Sequence, residues 1–305
     1  MDKFDVIGKR FWFFLISGII ILTGIVALST FGLKPGVEFT SGSLMTVGFE
    51  QNTDVAGVKQ TVVDLGYTGA IVQQTGAGDF LIRLPVLDDA AKRTFEDGLT
   101  AALGNLQVKS FDTVSPIIAA ETLRNTIIAV VLSAIGMLIY ISWAFRRMPN
   151  PFRWGVSAIA ALAHDILVVV GTYAFLGGLL GWQIDLMFVA GLLTVVGYSV
   201  NGTIVIFDRI RENVRLYPAA DFALVVNNSL VDTLARSLNT GMTTLFGAIA
   251  LMLFVGASIQ NLVVVLLVGV ATGTYSAICT AAPLLVVWNK GEWGRFIGRG
   301  KVVGA

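Results

Sequence analysis

Charged residues and cysteine are scarce in this sequence. Only 13% of the 305 residues are charged and 55% are hydrophobic, whereas a typical soluble domain carries about 25% charged residues. The single cysteine, Cys279, stands in an apolar stretch and has no second cysteine with which to form an intrachain disulfide. The net charge of +1 gives no indication of a nucleic-acid partner. These features exclude an ordinary soluble domain and indicate an integral membrane protein.

Motifs for catalysis and cofactor binding are also missing from the sequence. It contains no phosphate-binding loop, no cluster of metal ligands and no nucleophile beside a general base. We therefore predict neither an enzyme nor a cofactor or metal site, and we do not expect ATP hydrolysis.

Six apolar runs follow one another along the chain. The first, at about 21 residues, is long enough to cross a bilayer. No small-residue cleavage site follows it, so we expect a retained anchor and not a removed signal peptide. The predicted spans are residues 11–31, 126–144, 154–176, 186–207, 242–255 and 262–288.

The basic residues between the spans predict the orientation of the chain. Two of the short loops, residues 177–185 and 256–261, contain no Lys or Arg. By the positive-inside rule, both termini are then cytoplasmic and residues 34–120 lie outside. The basic residues that follow the second, fourth and sixth spans are Arg146, Arg147 and Arg153; Arg209, Arg211, Arg215 and Arg236; and Lys290, Arg295, Arg299 and Lys301.

The long segment outside the membrane has the pattern of a small α+β domain. Residues 43–49 alternate as a strand, and Thr53 or Asp54 can cap a helix that ends at Gly66. Residues 70–75 and 79–84 predict a hairpin around Gly76 and Gly78, followed by a helix over 88–103 and a strand over 106–114. The order β-α-β-β-α-β is that of a ferredoxin-like unit.

These patterns divide the chain into four parts. We expect a cytoplasmic N-terminus and first span over residues 1–33, and the ferredoxin-like domain over residues 34–120. Spans two to six occupy residues 121–289, and a basic cytoplasmic tail occupies residues 290–305. Glycine and proline at both chain crossings predict hinges at Gly32, Pro35 and Gly36 and at Ser115 and Pro116.

The fourth span carries polar residues that a lipid-facing helix would not have. An unpaired amide in hydrocarbon is unfavourable, so Asn201 is expected to face protein or a water-filled cavity. Gly197 shares its face and is predicted to let a neighbouring helix approach, while Gly202 and Thr203 lie one step round. The alternative is that Asn201 and the hydroxyls only tie helices together.

Two further groups complete the predicted polar site. His164 and Asp165 are ionisable and lie near the middle of the third span, about 16 Å into its helix. Because adjacent side chains diverge, the two need not act as one unit; His164 could bond a hydroxyl on the next helix and Asp165 a buried donor. Arg236, with Thr240 and Thr244 behind it, heads a stripe that can pair with a carboxylate on a facing helix. The alternative interpretation of Arg236 is a basic anchor at the cytoplasmic end of its helix.

Several stretches together resemble one family. GLKPGVEFTSGS at residues 32–43 is similar to a glycine-rich G-x-D-F-x-G-G exit from the first span, and VSPIIAAETLRNTI at 114–127 to the entry into the second. ALAHD at 161–165 matches a His-Asp pair in the third span. GYSVNGTIVIFDRIREN at 197–213 and TLARSLNTGMTT at 233–244 are similar to the fourth-span signature and the entry into the fifth. The family is SecF, of the resistance-nodulation-division superfamily.

The resemblance implies a fold and a function. The fold would be a six-helix α-helical membrane protein, half of a resistance-nodulation-division bundle, with the ferredoxin-like domain between helices 1 and 2. The chain would pair with a SecD-type subunit in the bacterial cytoplasmic membrane. The pair would use the proton-motive force to help the SecYEG channel move a preprotein across the bilayer.

One residue departs from the family signature. G-Y-S-x-N-D-T carries an acid after the asparagine, and that acid is implicated in proton relay; here the position is Gly202, which cannot titrate. A carboxylate on the partner subunit could carry the protons, Asp165 could do so, or coupling could be weakened. Two other functions also stay open: half of a small-molecule or lipid exporter of the same superfamily, and an assembly subunit with no proton coupling.

Overall fold

A computed structural model describes residues 5–51, 53–75, 78–254 and 259–297 of the chain. Six of its helices are long and apolar enough to cross a membrane, which confirms the predicted number of spans. The last of the six contains a π-helical turn between α9 and α10. In chain order the elements are α1 Arg10–Phe31, α2 Val37–Thr40, β1 Gly42–Phe49, α3 Val55–Asp64, β2 Ile71–Gln74, β3 Phe80–Leu84, α4 Asp89–Leu103, β4 Leu106–Val114, α5 Pro116–Ala144, α6 Pro151–Leu180, α7 Leu186–Leu216, α8 Phe222–Phe254, α9 Gln260–Ser276, the π turn Ala277–Ala281, α10 Ala282–Lys290 and a 3₁₀ helix Glu292–Ile297.

The segment between α1 and α5 is the predicted ferredoxin-like unit. Its four strands form one antiparallel sheet in the order β2-β3-β1-β4. Side chains of Asp54 and Asp88 accept hydrogen bonds from backbone amides of the first turns of α3 and α4, as expected for N-caps. Both helices pack on one face of the sheet over a small apolar core that includes Met45, Ile82 and Phe95. Gly76, at the tip of the predicted hairpin, lies outside the described residues.

The membrane helices extend beyond the apolar runs that predict them. The structure starts α5 at Pro116 and α8 at Phe222, whereas residues 126 and 242 were the predicted starts. Arg236 therefore lies within α8 and not in a loop, and the connection between α7 and α8 is only residues 217–221. A helix needs no apolar side chains once it leaves the bilayer, and charged pairs can stabilise its exposed surface. The predicted end of the fifth span at residue 255 and the tail from residue 298 lie outside the described ranges.

The six helices differ in how much of their surface the rest of the chain covers. Half of the most apolar window of α7 is buried, but only 6% of that of α5. Close approach between α7 and α9 depends on glycine: a Cβ at Gly191 would stand 2.9 Å from the Val265 Cβ, and one at Gly269 would overlap the Val195 side chain. Helices α6, α7 and α9 thus form the interior, and α1 and α5 present apolar surface suited to lipid.

The sheet domain is docked on the connection between α6 and α7. Pro35 pairs with Ile184 in a parallel bridge, in which the Gly36 amide donates to the Ile184 carbonyl at 2.7 Å. Gln73 Nε2 donates to the Gly181 carbonyl at 2.6 Å, and Arg83 donates to the Pro35 carbonyl at 2.8 Å. We call these contacts the outer dock. Movement of the domain about its chain crossings stays a prediction, and any such movement must break the outer dock.

The predicted hinge residues differ in their surroundings. Gly32 has a φ of 65° and open space around its Cβ position, so it is free to change conformation. Pro35 and Gly36 belong to the outer dock. Pro116 is the first residue of α5, directly after Ser115, whose hydroxyl accepts from the Ile118 amide. At this second crossing only Ser115 separates strand β4 from helix α5.

Two half-buried acids, Glu38 and Asp185, lie at the outer dock. Burial raises the pKa of Glu38, and repulsion by Asp185 and Asp112 adds to this, while a backbone hydrogen bond and Arg83 oppose it. Burial also raises the pKa of Asp185, against the hydrogen bonds it accepts from the Phe188 amide and the Asn261 side chain. The acids on this face therefore hold protons more tightly than free carboxyl groups do.

Candidate functional site: a polar cavity on the face of helices α7, α8 and α9

A cavity of about 140 Å³ opens where α7, α8 and α9 meet. It brings together four of the predicted site residues, Asn201 and Gly202 of α7 and Arg236 and Thr240 of α8. The lining consists of Tyr198, Asn201, Gly202 and Val205 of α7; Arg236, Ser237 and Thr240 of α8; and Gly273, Thr274 and Ala277 at the end of α9 and the start of the π turn.

Asn201 and Gly202 form the α7 wall of the cavity. The Asn201 side chain is exposed and makes no hydrogen bond within the described residues, so it ties no helices together inside this part of the chain. A Cβ at Gly202 would meet only the Ala277 Cβ, at the ordinary contact distance of 3.6 Å. Packing within the described chain therefore does not require a glycine at position 202.

Two residues of α7 have other surroundings than expected. No described heavy atom lies within 4 Å of the Gly197 Cβ position, so no helix within the described ranges approaches there. Thr203 does not reach the cavity: it is buried on the opposite side of α7, where its hydroxyl donates to the Ser199 carbonyl at 3.2 Å. Glycine close to a neighbour is found instead at Gly241, whose Cβ would stand 2.7 Å from Thr274 Oγ1.

Arg236 supplies the only charge in the cavity lining. Within the described chain it forms no ion pair and its side chain makes no hydrogen bond. It lies one helical turn beyond Asp232, which pairs with Arg209 at 2.7 Å at the charged end of α7. Thr240 and Thr244 use their hydroxyls to bond the carbonyls one turn earlier in α8, and Thr244 does not line the cavity. The guanidinium is therefore left without a counter-charge from this part of the chain.

His164 and Asp165 belong to a separate, fully buried cluster. Ser199 and Ser276 donate to Asp165 Oδ2 at 2.6 and 2.8 Å, and His164 Nδ1 lies 2.9 Å from Asp165 Oδ1. The two side chains are thus hydrogen-bonded to each other although they are adjacent on α6, and within the described ranges His164 bonds the carboxylate and no hydroxyl. His164 Nε2 is buried without a hydrogen-bond partner among the described residues.

Gly273 separates this cluster from the cavity. It lines the cavity on one side, and a Cβ added to it would stand 3.5 Å from Asp165 Oδ2 and 3.3 Å from the Ser199 Cα. The carboxylate therefore lies directly behind a residue that has no side chain.

Several members of the site were not predicted from the sequence. Gly273, Thr274 and Ser276 lie in an apolar run, where small residues are usually packing residues. A signal was available, since Gly269, Gly273 and Ser276 recur on one face of the last helix. In the ranges that the structure describes, no three His, Cys, Asp or Glu side chains lie close enough to hold a metal ion together.

Comparison with known proteins gives matches over nearly the whole chain. Residues 94–291 match the family model described as protein export membrane protein SecD/SecF, C-terminal, and residues 26–53 match that of the SecD/SecF GG motif. The protein translocase subunits SecF of Anaerolinea thermophila and Thermobaculum terrenum are 40% and 39% identical, each over 97% of both chains.

A solved structure agrees with these sequence matches. The crystal structure of SecDF from Thermus thermophilus, a translocon-associated membrane protein, superposes with a TM-score of 0.85 at 32% identity. The match covers 94% of this chain and 39% of that one. The present chain therefore corresponds to part of a SecDF chain and to nearly the full length of separate SecF subunits. By sequence and by fold, the chain belongs to the SecD/SecF family of protein export membrane proteins.

Proposed function

We propose that the chain is a SecF-type subunit that assists protein export in partnership with a SecD-type subunit. The observation that carries this proposal is the uncovered polar face around the cavity. Asn201 and Arg236 are exposed on membrane-spanning helices, and neither has a partner within the described residues. Polar groups at membrane depth are stable where they face protein or water and not where they face lipid. A second membrane subunit on α7 and α8 would cover them.

The full-length SecF relatives and the SecDF chain support the choice of partner. In the SecDF structure a region like this chain occupies 39% of a longer polypeptide. Chains built from two related halves place their sites where the halves meet. We infer that the polar face of this chain meets the corresponding face of a SecD-type subunit.

The charge in the cavity points to proton-coupled work. Arg236 has no carboxylate beside it, and Gly202 leaves space where one would fit. An arginine in a membrane cavity is stabilised by a nearby acid. A carboxylate on the SecD-type subunit would supply that acid and would exchange protons driven by the proton-motive force. His164, Asp165, Thr203 and Thr244 do not line this cavity.

The wider assembly follows from the same family relation. We place the chain in the bacterial cytoplasmic membrane with both termini cytoplasmic and the sheet domain outside. There it would act beside the SecYEG channel on the translocating preprotein. The hinge residues Gly32, Pro35, Gly36 and Pro116 would let the sheet domain leave and rejoin the outer dock during this work.

Gly202 favours a second candidate function, an assembly subunit without proton coupling. The two candidates differ in one measurement: translocation of a precursor into inverted membrane vesicles that contain this chain and its SecD-type subunit, with and without an uncoupler. The first candidate predicts stimulation that the uncoupler reduces and that Arg236→Ala removes, while Arg215→Ala, at the cytoplasmic end of α7, leaves it unchanged. Equal stimulation with and without the uncoupler would favour the assembly subunit. An absence of any stimulation would reject both.

A further inference from the structure

A buried carboxylate directly behind the cavity has no role in the site described above. Asp165 is fully buried, and the described groups bonded to it are the two serine hydroxyls on Oδ2 and His164 on Oδ1. No Lys or Arg pairs with it in the part of the chain that the structure describes. Carboxylates held in a membrane without a fixed cation are typical of proton relays.

We propose that Asp165 is a proton-binding group of this chain and that it exchanges its proton with the cavity past Gly273. The use of this proton in export rests on the proposed function, whereas the binding of a proton by Asp165 does not. It assigns a titrating group to a chain whose cavity lining contains no acid.

Gly273 gives Asp165 access to the cavity. Gly273 is the layer between Asp165 Oδ2 and the cavity, and it contributes no side chain. The next turn of the same helix is the π turn, whose first residue, Ala277, also lines the cavity. Widened turns of this kind are frequent at functional sites. The helix therefore carries no side chain where a proton would cross, and irregular backbone begins one turn further on.

The hydrogen bonds around Asp165 suit two protonation states. With the carboxylate ionised, Ser199 and Ser276 both donate to Oδ2. When a proton from the cavity adds to Oδ2, one hydroxyl must find another acceptor. Ser276 Oγ already lies 3.3 Å from the Gly273 carbonyl, so it can turn there without a change in the backbone. Release of the proton to the cavity reverses both steps, and the balance is one proton taken up and one returned.

The described ionisable groups around the cluster and the cavity include His164 on the same helix, Tyr275 of α9, whose ring centroid is 6.0 Å from that of His164, and Tyr198 and Arg236, which line the cavity. The Tyr275 hydroxyl donates to the Phe13 carbonyl at 3.1 Å and so is not directed at Asp165. His164 Nδ1 lies 2.9 Å from Oδ1, so the exchange of a proton with the cavity falls to Oδ2.

The test is infrared difference spectroscopy of the complete complex with its SecD-type subunit in lipid, between low and high pH. We expect a carbonyl band of a buried carboxylic acid that is lost in Asp165→Asn and kept in Asp208→Asn, an exposed acid of α7. Ser276→Ala should retain the band but shift it, because one hydrogen bond to the acid is gone. Gly273→Ala, which puts a methyl group into the access path, should slow the deuterium shift of the band several-fold.

Each outcome decides the proposal. A titrating band that survives Asp165→Asn, or a wild-type complex with no such band, overturns it. If Asp165→Asn prevents assembly, the shift in Ser276→Ala and the slowed exchange in Gly273→Ala decide the question with the carboxylate in place. A band that behaves as expected in a complex without uncoupler-sensitive export would leave Asp165 as a proton site and reject the proposed function.

Discussion

Replacing Gly202 with aspartate tests the geometry of the cavity most sharply. The Cβ would meet only Ala277 at 3.6 Å, and the cavity of about 140 Å³ has room for a carboxylate. Each water occupies about 30 Å³ of liquid, so the cavity corresponds to roughly five waters. Gly202→Asp therefore avoids the cost of about 1–3 kcal/mol that overfilling a packed interface carries.

The remaining contributions to stability are small and favourable. Aspartate is better in a helix interior than glycine by about 0.3 kcal/mol. The cavity face is exposed in this chain alone, and pairing with Arg236 there adds about 0.2–1 kcal/mol. We expect Gly202→Asp to leave the unfolding free energy of the subunit unchanged or raised by about 1 kcal/mol, and to increase uncoupler-sensitive precursor translocation by the complex.

The assay compares three variants in inverted vesicles with and without an uncoupler. Gly202→Asn has nearly the same shape as Gly202→Asp without the charge, and Gly202→Ala controls for the loss of glycine. The increase should occur with aspartate alone. If asparagine raises translocation as much as aspartate, the effect is structural and the account of the cavity charge is refuted. A loss of the assembled complex in Gly202→Ala would show that the space at Gly202 is needed for the partner.

Three further predictions concern other parts of the chain. Arg83→Ala removes a charge-assisted hydrogen bond to the Pro35 carbonyl and should weaken the outer dock by about 1.5 kcal/mol, seen as faster amide exchange at residues 181–185. Because burial raises the pKa of Glu38 above its ordinary value of 4.5, the folded, docked state binds more protons than the unfolded state. Docking should therefore weaken as the pH rises from the ordinary to the raised pKa of Glu38. Glu38→Gln should flatten this pH dependence of amide exchange, and an unchanged pH profile would contradict the prediction. Gly269→Ala should destabilise the complex by about 1–3 kcal/mol in thermal unfolding, whereas Gly136→Ala, on α5 with open space around it, should not; equal effects would contradict the helix packing.

The sheet domain could be predicted almost completely from the sequence. Its helices begin at capping aspartates, Asp54 and Asp88, and its strands alternate in polarity, so local signals agree with the final fold. The outer dock could not be predicted in the same way. It depends on backbone groups such as the Ile184 carbonyl, which any residue would provide.

The candidate site was predicted only in part. Polar residues in apolar helices identified Asn201, Arg236 and Thr240, because a polar side chain at membrane depth requires a reason. The faces of α7 and α8 that meet α9 could not be deduced from helical periodicity, and so Thr203 and Gly197 were misplaced. Gly273 and Ser276 carry no charge, and their importance appears only when Asp165 is seen behind them.

The central claim is that a SecD-type subunit covers the polar face of α7 and α8. Cys279 is the only cysteine in the sequence and is buried, so single cysteines can be introduced at Asn201, on the polar face, and at Ile139, exposed on α5. The measurement is oxidative cross-linking in native membranes to single cysteines along the fourth and fifth spans of the SecD-type subunit. The account predicts cross-links from Asn201→Cys and none from Ile139→Cys, and the reverse pattern would contradict it.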